Sequence, residues 1–125
     1  MIITKDVIIL KCLIADDEPI LLSGEKRVVL NVLGEDMEVF ETDNSDKILD
    51  IVNREDIDIA LLDVEMPFIN GIETTKQIMS IKPDIKIILI SGDARYESEA
   101  LSIGVHGFIT KPLSEKKLEK CLNSN

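Results

Sequence analysis

The sequence predicts an α/β fold in which a doubly wound, five-stranded parallel sheet carries helices on both faces. Short runs rich in Ile, Leu and Val alternate with stretches whose apolar residues recur at helical spacing. Most of these runs are nearly continuous in apolar residues, as expected of parallel strands buried on both faces. The chain has 125 residues, of which 45% are hydrophobic, and this suits one domain with a sizeable aliphatic core.

Five apolar runs are predicted to form the strands. The first, third and fourth, at Ile8 to Ala15, Ile57 to Val64 and Ile85 to Ser91, have the continuous apolar character of buried strands. The second, Glu38 to Thr42, is shorter and more polar, which is typical of an edge strand. The fifth is Val105 to Thr110. Five such βα units imply right-handed crossovers, with helices on both faces of the sheet.

Helical signals fill the segments between these runs. Pro19 suits the first turn of a helix and Gly34 its C-terminal end. We expect Leu21, Val28 and Val32 to share the buried face of this first helix. The predicted helices run from Pro19 to about Leu33, from a cap at Asn44 or Ser45, from Gly71 to before Pro83, from about Arg95 to Ile103, and from near Ser114.

Composition narrows the classes of partner. The net charge of −10 argues against a domain that binds nucleic acid or an anionic membrane by itself, because both are polyanions. Cys12 and Cys121 lie at opposite ends of the chain, which indicates thiols in a reducing compartment. Residues 1–14 are apolar but interrupted by charges, so they are predicted to be neither a signal peptide nor a membrane span. We therefore predict a cytoplasmic protein, with residues 1–7 as a flexible tail or an additional edge element.

Polar side chains end four of the apolar runs. Asp16 and Asp17 follow the first, Asp63 lies at the end of the third, Ser91 ends the fourth, and Lys111 follows the fifth. Ligands of parallel α/β sheets bind at the carboxyl ends of the strands, near the topological switch point. Position in the sequence alone identifies these residues, and together they predict a site.

The chemistry of this set favours a cation and a phosphoryl group. Two adjacent ionised carboxylates repel by about 4 kcal/mol at an effective dielectric constant of about 20, and a cation offsets that repulsion. Hard carboxylate oxygens suit Mg²⁺, which keeps several waters and takes one or two protein carboxylates. An aspartate such as Asp63 can act as a nucleophile toward phosphorus. Lys111 and the Ser91 hydroxyl can then contact other phosphate oxygens.

Each residue also has an ordinary structural explanation. The acids at 16–18 can be a solvated helix N-terminus, Asp63 a capping residue, Ser91 a turn residue and Lys111 a surface lysine. Their shared placement at strand ends favours the functional interpretation. His106, the only histidine, has no second base or metal partner in view and is expected to be an ordinary residue.

Four motifs resemble the receiver domain of two-component response regulators. They are ADDEP at residues 15–19, DVEMPFING at 63–71, ISGDA at 90–94 and GFITKP at 107–112. Each is weak alone, but four in this order on these predicted strands are specific. The resemblance covers about residues 9–122, and it implies one receiver domain over residues 1–125 with the flavodoxin-like strand order 2-1-3-4-5.

The resemblance implies a role for each matching residue. Asp63 would be the phosphoacceptor and, with Asp17, a direct ligand of Mg²⁺. Asp16 would act on the metal largely through water, and the backbone carbonyl of Glu65 would complete the protein's share of the shell. Glu18 has no fixed role in the family and is interpreted as helix N-terminal charge.

The remaining motif residues would carry the phosphate contacts and the conformational switch. Ser91 matches the switch hydroxyl, Lys111 the lysine that pairs with phosphate, and Phe108 the rotating aromatic. The peptide between Lys111 and Pro112 matches one that is cis in the family. Glu65 and Asp93 occupy positions that tune dephosphorylation, and we expect them to alter the phosphoryl lifetime.

The implied function is a signalling switch that turns over no separate substrate. A sensor histidine kinase or a histidine phosphotransfer protein would donate the phosphoryl group, and the surface of the fourth helix, fifth strand and fifth helix would change. That surface is expected to dimerise or to bind an output protein, or a fused effector domain, that the sequence does not identify.

Three other functions are less consistent with these residues. A phosphohydrolase of the haloacid-dehalogenase type needs a second aspartate two residues after the nucleophile, where Glu65 stands. A flavodoxin-like cofactor binder needs a Ser/Thr/Gly-rich phosphate loop after the first strand, where the acids lie. An interaction module that is not phosphorylated normally loses the nucleophile or the acids, and this chain keeps them all.

Overall fold

The centre of the fold is a five-stranded parallel sheet. The computed structural model describes residues 2–4, 7–66 and 70–123, so the Pro67 of the DVEMPFING motif lies outside the described residues. The strands of this sheet are β3 (Lys11–Ala15), β4 (Glu38–Thr42), β5 (Ile59–Asp63), β6 (Lys86–Ser91) and β7 (Gly107–Thr110). Their order is β4-β3-β5-β6-β7, and every neighbouring pair is parallel. Numbered within this sheet, the order is 2-1-3-4-5, and the predicted fold class is confirmed.

The N-terminal segment forms a hairpin, and this corrects two predictions. β1 (Ile2–Thr4) and β2 (Val7–Ile9) pair antiparallel in a two-stranded sheet of their own. The first predicted strand, Ile8 to Ala15, is therefore divided at Leu10, and only Lys11–Ala15 belongs to the main sheet. Among the described residues this segment adds no edge strand to the main sheet, so the prediction of an additional edge element is wrong. The alternative, a flexible tail, stays a prediction.

The helices lie close to their predicted positions. They are α1 (Pro19–Leu33), α2 (Ile48–Arg54), α3 (Gly71–Ile81), α4 (Glu97–Ser102) and α5 (Glu115–Asn123). Short 3₁₀ turns at Ser45–Lys47 and Ala94–Tyr96 precede α2 and α4. Asn70 caps α3, because its side chain accepts hydrogen bonds from the backbone of Ile72 and Glu73.

The alternation of side chains along each strand builds two apolar layers. On β5, Ile59 and Leu61 face the layer formed with α1 and α5, whereas Ala60 and Leu62 face the layer formed with α2, α3 and α4. β3 and β6 alternate in the same way. Burial on both faces explains the continuous apolar runs of the sequence.

The buried face of α1 differs from the predicted one. Its buried residues include Leu22 and Val29, together with Glu25, whereas the predicted Leu21, Val28 and Val32 are half-buried. Glu25 is the one charged residue buried on this helix, and it lies toward the end of the sheet where the acids gather. Among the described residues, none of the helices combines the length and the apolar character needed to cross a bilayer.

Candidate functional site at the carboxyl edge of the sheet

The strand ends place four of the predicted residues at one edge of the sheet. Asp63 is the last residue of β5, Ser91 the last of β6, and Asp16 and Lys111 directly follow β3 and β7. Parallel pairing continues past the strands, since the Lys111 amide donates to the Ser91 carbonyl at 2.8 Å. Asp16 is 0% exposed and Asp63 is 3% exposed, so both carboxyl groups lie in the protein interior.

Lys111 connects two of the buried acids. Its Nζ donates to Asp63 Oδ2 at 2.8 Å and lies 3.0 Å from Asp16 Oδ2. The exposed Glu18 carboxylate is a third, more distant partner, at 3.6 Å. The ammonium group therefore lies between the two carboxylates and offsets part of their mutual repulsion.

The local electrostatics shift the pKa values of this pair upward. Burial raises the pKa of Asp63 to about 6, although the hydrogen bonds from Lys111 and from the Glu65 amide oppose that rise. For Lys111 burial acts to lower the pKa, and the contacts with Asp63 and Asp16 outweigh it and raise the pKa above its ordinary value. The ion pair is thus formed at neutral pH.

Three consecutive acids can contribute to a metal site. Asp16, Asp17 and Glu18 each place one carboxylate oxygen within 4.8 Å of the others. The chain turns here because the Glu18 amide donates to Asp16 Oδ1 at 2.9 Å. Glu18 is the N-cap residue of α1, yet its side chain makes no capping hydrogen bond and instead approaches Lys111. Its predicted position at the helix start is correct, and its carboxylate also belongs to the acidic cluster.

The donor set fits a hard divalent cation. Asp16, Asp17, Glu18 and Asp63 offer carboxylate oxygens, the type of ligand that Mg²⁺ prefers. The Asp16 carboxyl is fully buried, and its Oδ2 lies 3.0 Å from Lys111 Nζ. The buried carboxyl group of Glu25 lies beside it, so two acids and one ammonium group share this interior position. Buried carboxylates with spare acceptor capacity are what an oxygen-ligated cation needs.

Ser91 is held by Glu65 rather than by Asp63. Its Oγ donates to Glu65 Oε1 at 3.0 Å and accepts from the Asp93 amide at 2.9 Å. The Glu65 amide in turn donates to Asp63 Oδ1 at 2.9 Å. Glu65 thereby contacts two of the predicted site residues, once through its backbone and once through its side chain.

Glu25 belongs to the site and was missed by the sequence reasoning. It is 5% exposed, and burial raises its pKa to about 8, with the neighbouring carboxyl groups of Asp16 and Asp63 adding to the rise and Lys111 opposing it. Its nearest acidic neighbour is Asp16, with which a shared proton can form a hydrogen bond. A signal existed, because Leu22, Glu25 and Val29 recur at helical spacing and define one face.

The aromatic residue predicted to act in the switch lies on the neighbouring surface. Phe108 is half-buried on β7 and lines a cavity of about 480 Å³ between α4 and α5, whose lining also includes Leu101, His106 and Cys121. The peptide bond between Lys111 and Pro112 is cis.

Sequence comparison connects this geometry to known proteins. The family described as response regulator receiver domain matches residues 12–123. The transcriptional regulatory protein LytR of Staphylococcus aureus is 32% identical over 114 residues, which are 91% of this chain and 46% of LytR. DegU of Brevibacillus brevis is 27% identical over 111 residues, or 87% of this chain and 47% of DegU. The chain therefore spans about half the length of these curated relatives.

Solved structures share the fold. The response regulator TrrA of Thermotoga maritima, in complex with Mg(2+)-BeF, is 27% identical with a TM-score of 0.79, covering 90% of this chain and 96% of that chain. A CheY-like receiver domain protein from Methanospirillum hungatei has a TM-score of 0.80 at 23% identity, with 92% of this chain and 91% of that chain covered. The second likeness concerns the fold alone.

Proposed function

Because the chain belongs to the response regulator receiver domain family, we propose that it accepts a phosphoryl group on Asp63 and changes conformation in response. The observation that carries this proposal is the position of Asp63. Its carboxyl group ends β5 at 3% exposure, and Lys111 lies 2.8 Å from one of its oxygens. Asp16 contacts the same lysine at 3.0 Å, and Asp17 lies beside Asp16 in the acidic cluster.

Asp63 is the nucleophile of the proposed reaction. A carboxylate oxygen forms the new P–O bond while the P–N bond of a phosphohistidine breaks, and the imidazole nitrogen leaves with a proton from solvent. Lys111 can form an ion pair with a phosphoryl oxygen on Asp63, because its Nζ already lies beside Asp63 and Asp16. Phosphoryl transfer requires mainly positioning and charge neutralisation, and these residues supply both.

The acids at the end of β3 would hold Mg²⁺. Asp17 and Asp63 would be direct ligands, Asp16 would act through water, and the Glu65 carbonyl would add a backbone oxygen. When bound, the cation neutralises the charge that develops on the phosphoryl oxygens. The buried carboxyl groups of Asp16 and Asp63, which share one lysine, support this assignment.

The switch would begin with the Ser91 hydroxyl. Contact with a phosphoryl oxygen on Asp63 requires the hydroxyl to give up its bond to Glu65, which is 3.0 Å long. Phe108 would then rotate inward, and the surface of α4, β7 and α5 would change its shape. Such a local charge event biases a two-state element toward one conformation.

The partners follow from this chemistry. A sensor histidine kinase or a histidine phosphotransfer protein would donate the phosphoryl group, and an output protein or a fused effector domain would read the α4–β7–α5 surface, where a dimer could also form. The curated relatives are transcriptional regulatory proteins about twice as long as this chain, which supports such an output. The domain would act as a switch and process no separate substrate.

Labelling by a small phosphodonor tests the proposal. The protein is incubated with acetyl phosphate, with Mg²⁺ or with EDTA, and the phosphorylated fraction is measured by intact-mass spectrometry. Wild type should gain one phosphoryl group only with Mg²⁺, and Asp63→Asn should gain none. Asp84→Asn, which removes an exposed acid at the opposite end of the sheet, should label like wild type. Retained labelling in Asp63→Asn would exclude Asp63 as the phosphoacceptor.

A further inference from the structure

Glu25 is a buried acid, and a contribution to stability does not explain its position. It lies on the buried face of α1 between Leu22 and Val29, at 5% exposure, and its carboxyl group lies beside the fully buried carboxyl of Asp16. Two carboxyl groups buried side by side lower stability, because they repel each other unless one of them is protonated, whereas a leucine of similar length would suit this apolar face. The residue therefore carries an energetic penalty that a function at the neighbouring site would explain.

The group next to Glu25 is the carboxyl of Asp16. Asp16 is held on two sides, since Oδ1 accepts the Glu18 amide at 2.9 Å and Oδ2 lies 3.0 Å from Lys111 Nζ. Glu25 approaches the same carboxyl from α1 and so restrains it from the side of the helix. These three contacts restrict the directions in which the Asp16 oxygens can face the pocket.

We propose that Glu25 is a positioning residue of the cation pocket, which orients the Asp16 carboxyl group toward a bound Mg²⁺. The inference rests on the proposed function, since it requires that the pocket takes a divalent cation. Groups that hold a metal-binding carboxylate from behind change metal affinity by about 10–100-fold when they are removed. Glu25 contacts Asp16 and would not bind the cation itself, so its role differs from those of Asp17 and Asp63, which would be direct ligands.

A positioning role and a purely structural role make different predictions for Glu25→Leu. Because leucine removes one of two adjacent buried carboxyl groups, the metal-free variant should unfold at a higher urea concentration than wild type. Because the contact with Asp16 is lost, the same variant should bind Mg²⁺ about tenfold more weakly. Stability and affinity then move in opposite directions, which damage to packing does not produce.

Isothermal titration calorimetry with MgCl₂ tests the inference on the complete chain. Wild type, Glu25→Leu, Glu25→Ala and Glu25→Gln are compared after urea denaturation has shown that each is folded. Glu25→Ala is a second removal variant, for use if leucine disturbs the fold. Glu25→Gln keeps the length and a donor for Asp16, and it should bind Mg²⁺ like wild type. Glu119→Leu removes an exposed charge of α5 and controls for the change in net charge.

The outcomes separate this inference from the proposed function. Weaker binding in the leucine and alanine variants, with binding restored in Glu25→Gln, supports the positioning role. Wild-type affinity in both removal variants overturns it while leaving the cation site intact, and so does a glutamine variant as weak as leucine. If wild type and Asp17→Asn both show no Mg²⁺ binding at millimolar concentration, the cation site of the proposed function fails, and the role of Glu25 fails with it.

Discussion

Two carboxyl groups at the sheet edge are held where ionisation is unfavourable. Burial raises the pKa of Glu25 from 4.5 to about 8 and that of Asp63 from 3.8 to about 6. Between its ordinary and its raised pKa, each group binds more protons in the folded protein than in the unfolded chain. The free energy of unfolding therefore falls as the pH rises through these two intervals. Above pH 6 or so, the remaining fall belongs mainly to Glu25.

Glu25→Gln should remove the upper part of this pH dependence. In metal-free buffer, the unfolding free energy of wild type should fall by about 1 kcal/mol between pH 6 and 8, once solvent screening is allowed for. The variant should show no such fall, because glutamine does not titrate. Urea denaturation in EDTA at several pH values measures the slopes, with Asp46→Asn as the control for an exposed acid. Equal slopes in wild type and Glu25→Gln would contradict the assignment.

The difference between Asp63 and Glu25 explains how far the site could be predicted. Asp63 ends an apolar run, and the carboxyl ends of parallel strands converge, so its position in the sequence predicts the pocket. Glu25 lies in the middle of a helix, within the polar stretch SGEKR, where an acid normally faces solvent. Glu25 lies beside Asp16 only because of the way in which α1 is rotated against the sheet. The predicted buried face was shifted by one residue, so Glu25 was not included in it.

Gly71 shows how a single residue sets the position of a helix near the site. A Cβ built on Gly71 would lie 2.6 Å from the Cα and 2.8 Å from the carbonyl oxygen of Val64. The first turn of α3 therefore packs directly on the backbone that follows Asp63. Gly24, in the middle of α1, offers a contrast, because a Cβ there would meet no atom within 4 Å.

Substituting alanine at the two glycines should change stability in opposite directions. In Gly71→Ala the new Cβ clashes with the backbone of Val64, which should lower the free energy of unfolding by about 1–3 kcal/mol. Gly24→Ala replaces a poor helix former at an open position and should raise it by about 0.5–1 kcal/mol. Urea denaturation at one pH compares both with wild type. A Gly71→Ala protein as stable as Gly24→Ala would show that α3 can move away from Val64.

The helices and strands were predicted best where the chain carries local signals. Pro19 and Gly34 bracket α1, and its observed bounds, Pro19–Leu33, agree with the prediction. Glu38–Thr42 is also observed as predicted. The start of α4 was less accurate, because a 3₁₀ turn at Ala94–Tyr96 precedes it and no residue type distinguishes that turn from a first helical turn. Helix boundaries were thus predicted more accurately from proline and glycine than from the spacing of apolar residues.

The fold of the main sheet could be predicted because burial on both of its faces leaves long apolar runs in the sequence. The N-terminal hairpin could not be predicted, because its strands are apolar as well and merge with the first of these runs. Val7–Ile9 has the same apolar character as Lys11–Ala15, so composition does not separate them. The register pairs Ile2 with Ile9 and Thr4 with Val7, which leaves Lys5 and Asp6 as the connecting residues in the sequence. A two-residue connection between short apolar runs is the signal that was available.

Removing the hairpin should leave the receiver fold intact. Within the part of the chain that the structure describes, β1 and β2 pair only with each other. The main sheet begins where the Leu10 carbonyl accepts a hydrogen bond from the Glu38 amide at 2.9 Å. Isolated two-stranded hairpins are marginally stable, so deleting residues 1–9 should change the free energy of unfolding by less than about 1 kcal/mol. Mg²⁺ affinity should not change either, because the hairpin joins β3 at the end opposite to the acids.

Urea denaturation and calorimetry of two truncated chains check this expectation. The chain that starts at Leu10 should resemble full-length protein in both measurements. A chain that starts at Ile14 loses most of β3, which pairs with both β4 and β5, and should not fold. Loss of several kcal/mol in the shorter truncation would instead mean that the hairpin packs on the core. If the chain that starts at Leu10 is as stable as the full-length protein, all the interactions that hold the site lie within residues 10–125. The pairing of β3 in the main sheet is then sufficient to position Asp16 and Asp17.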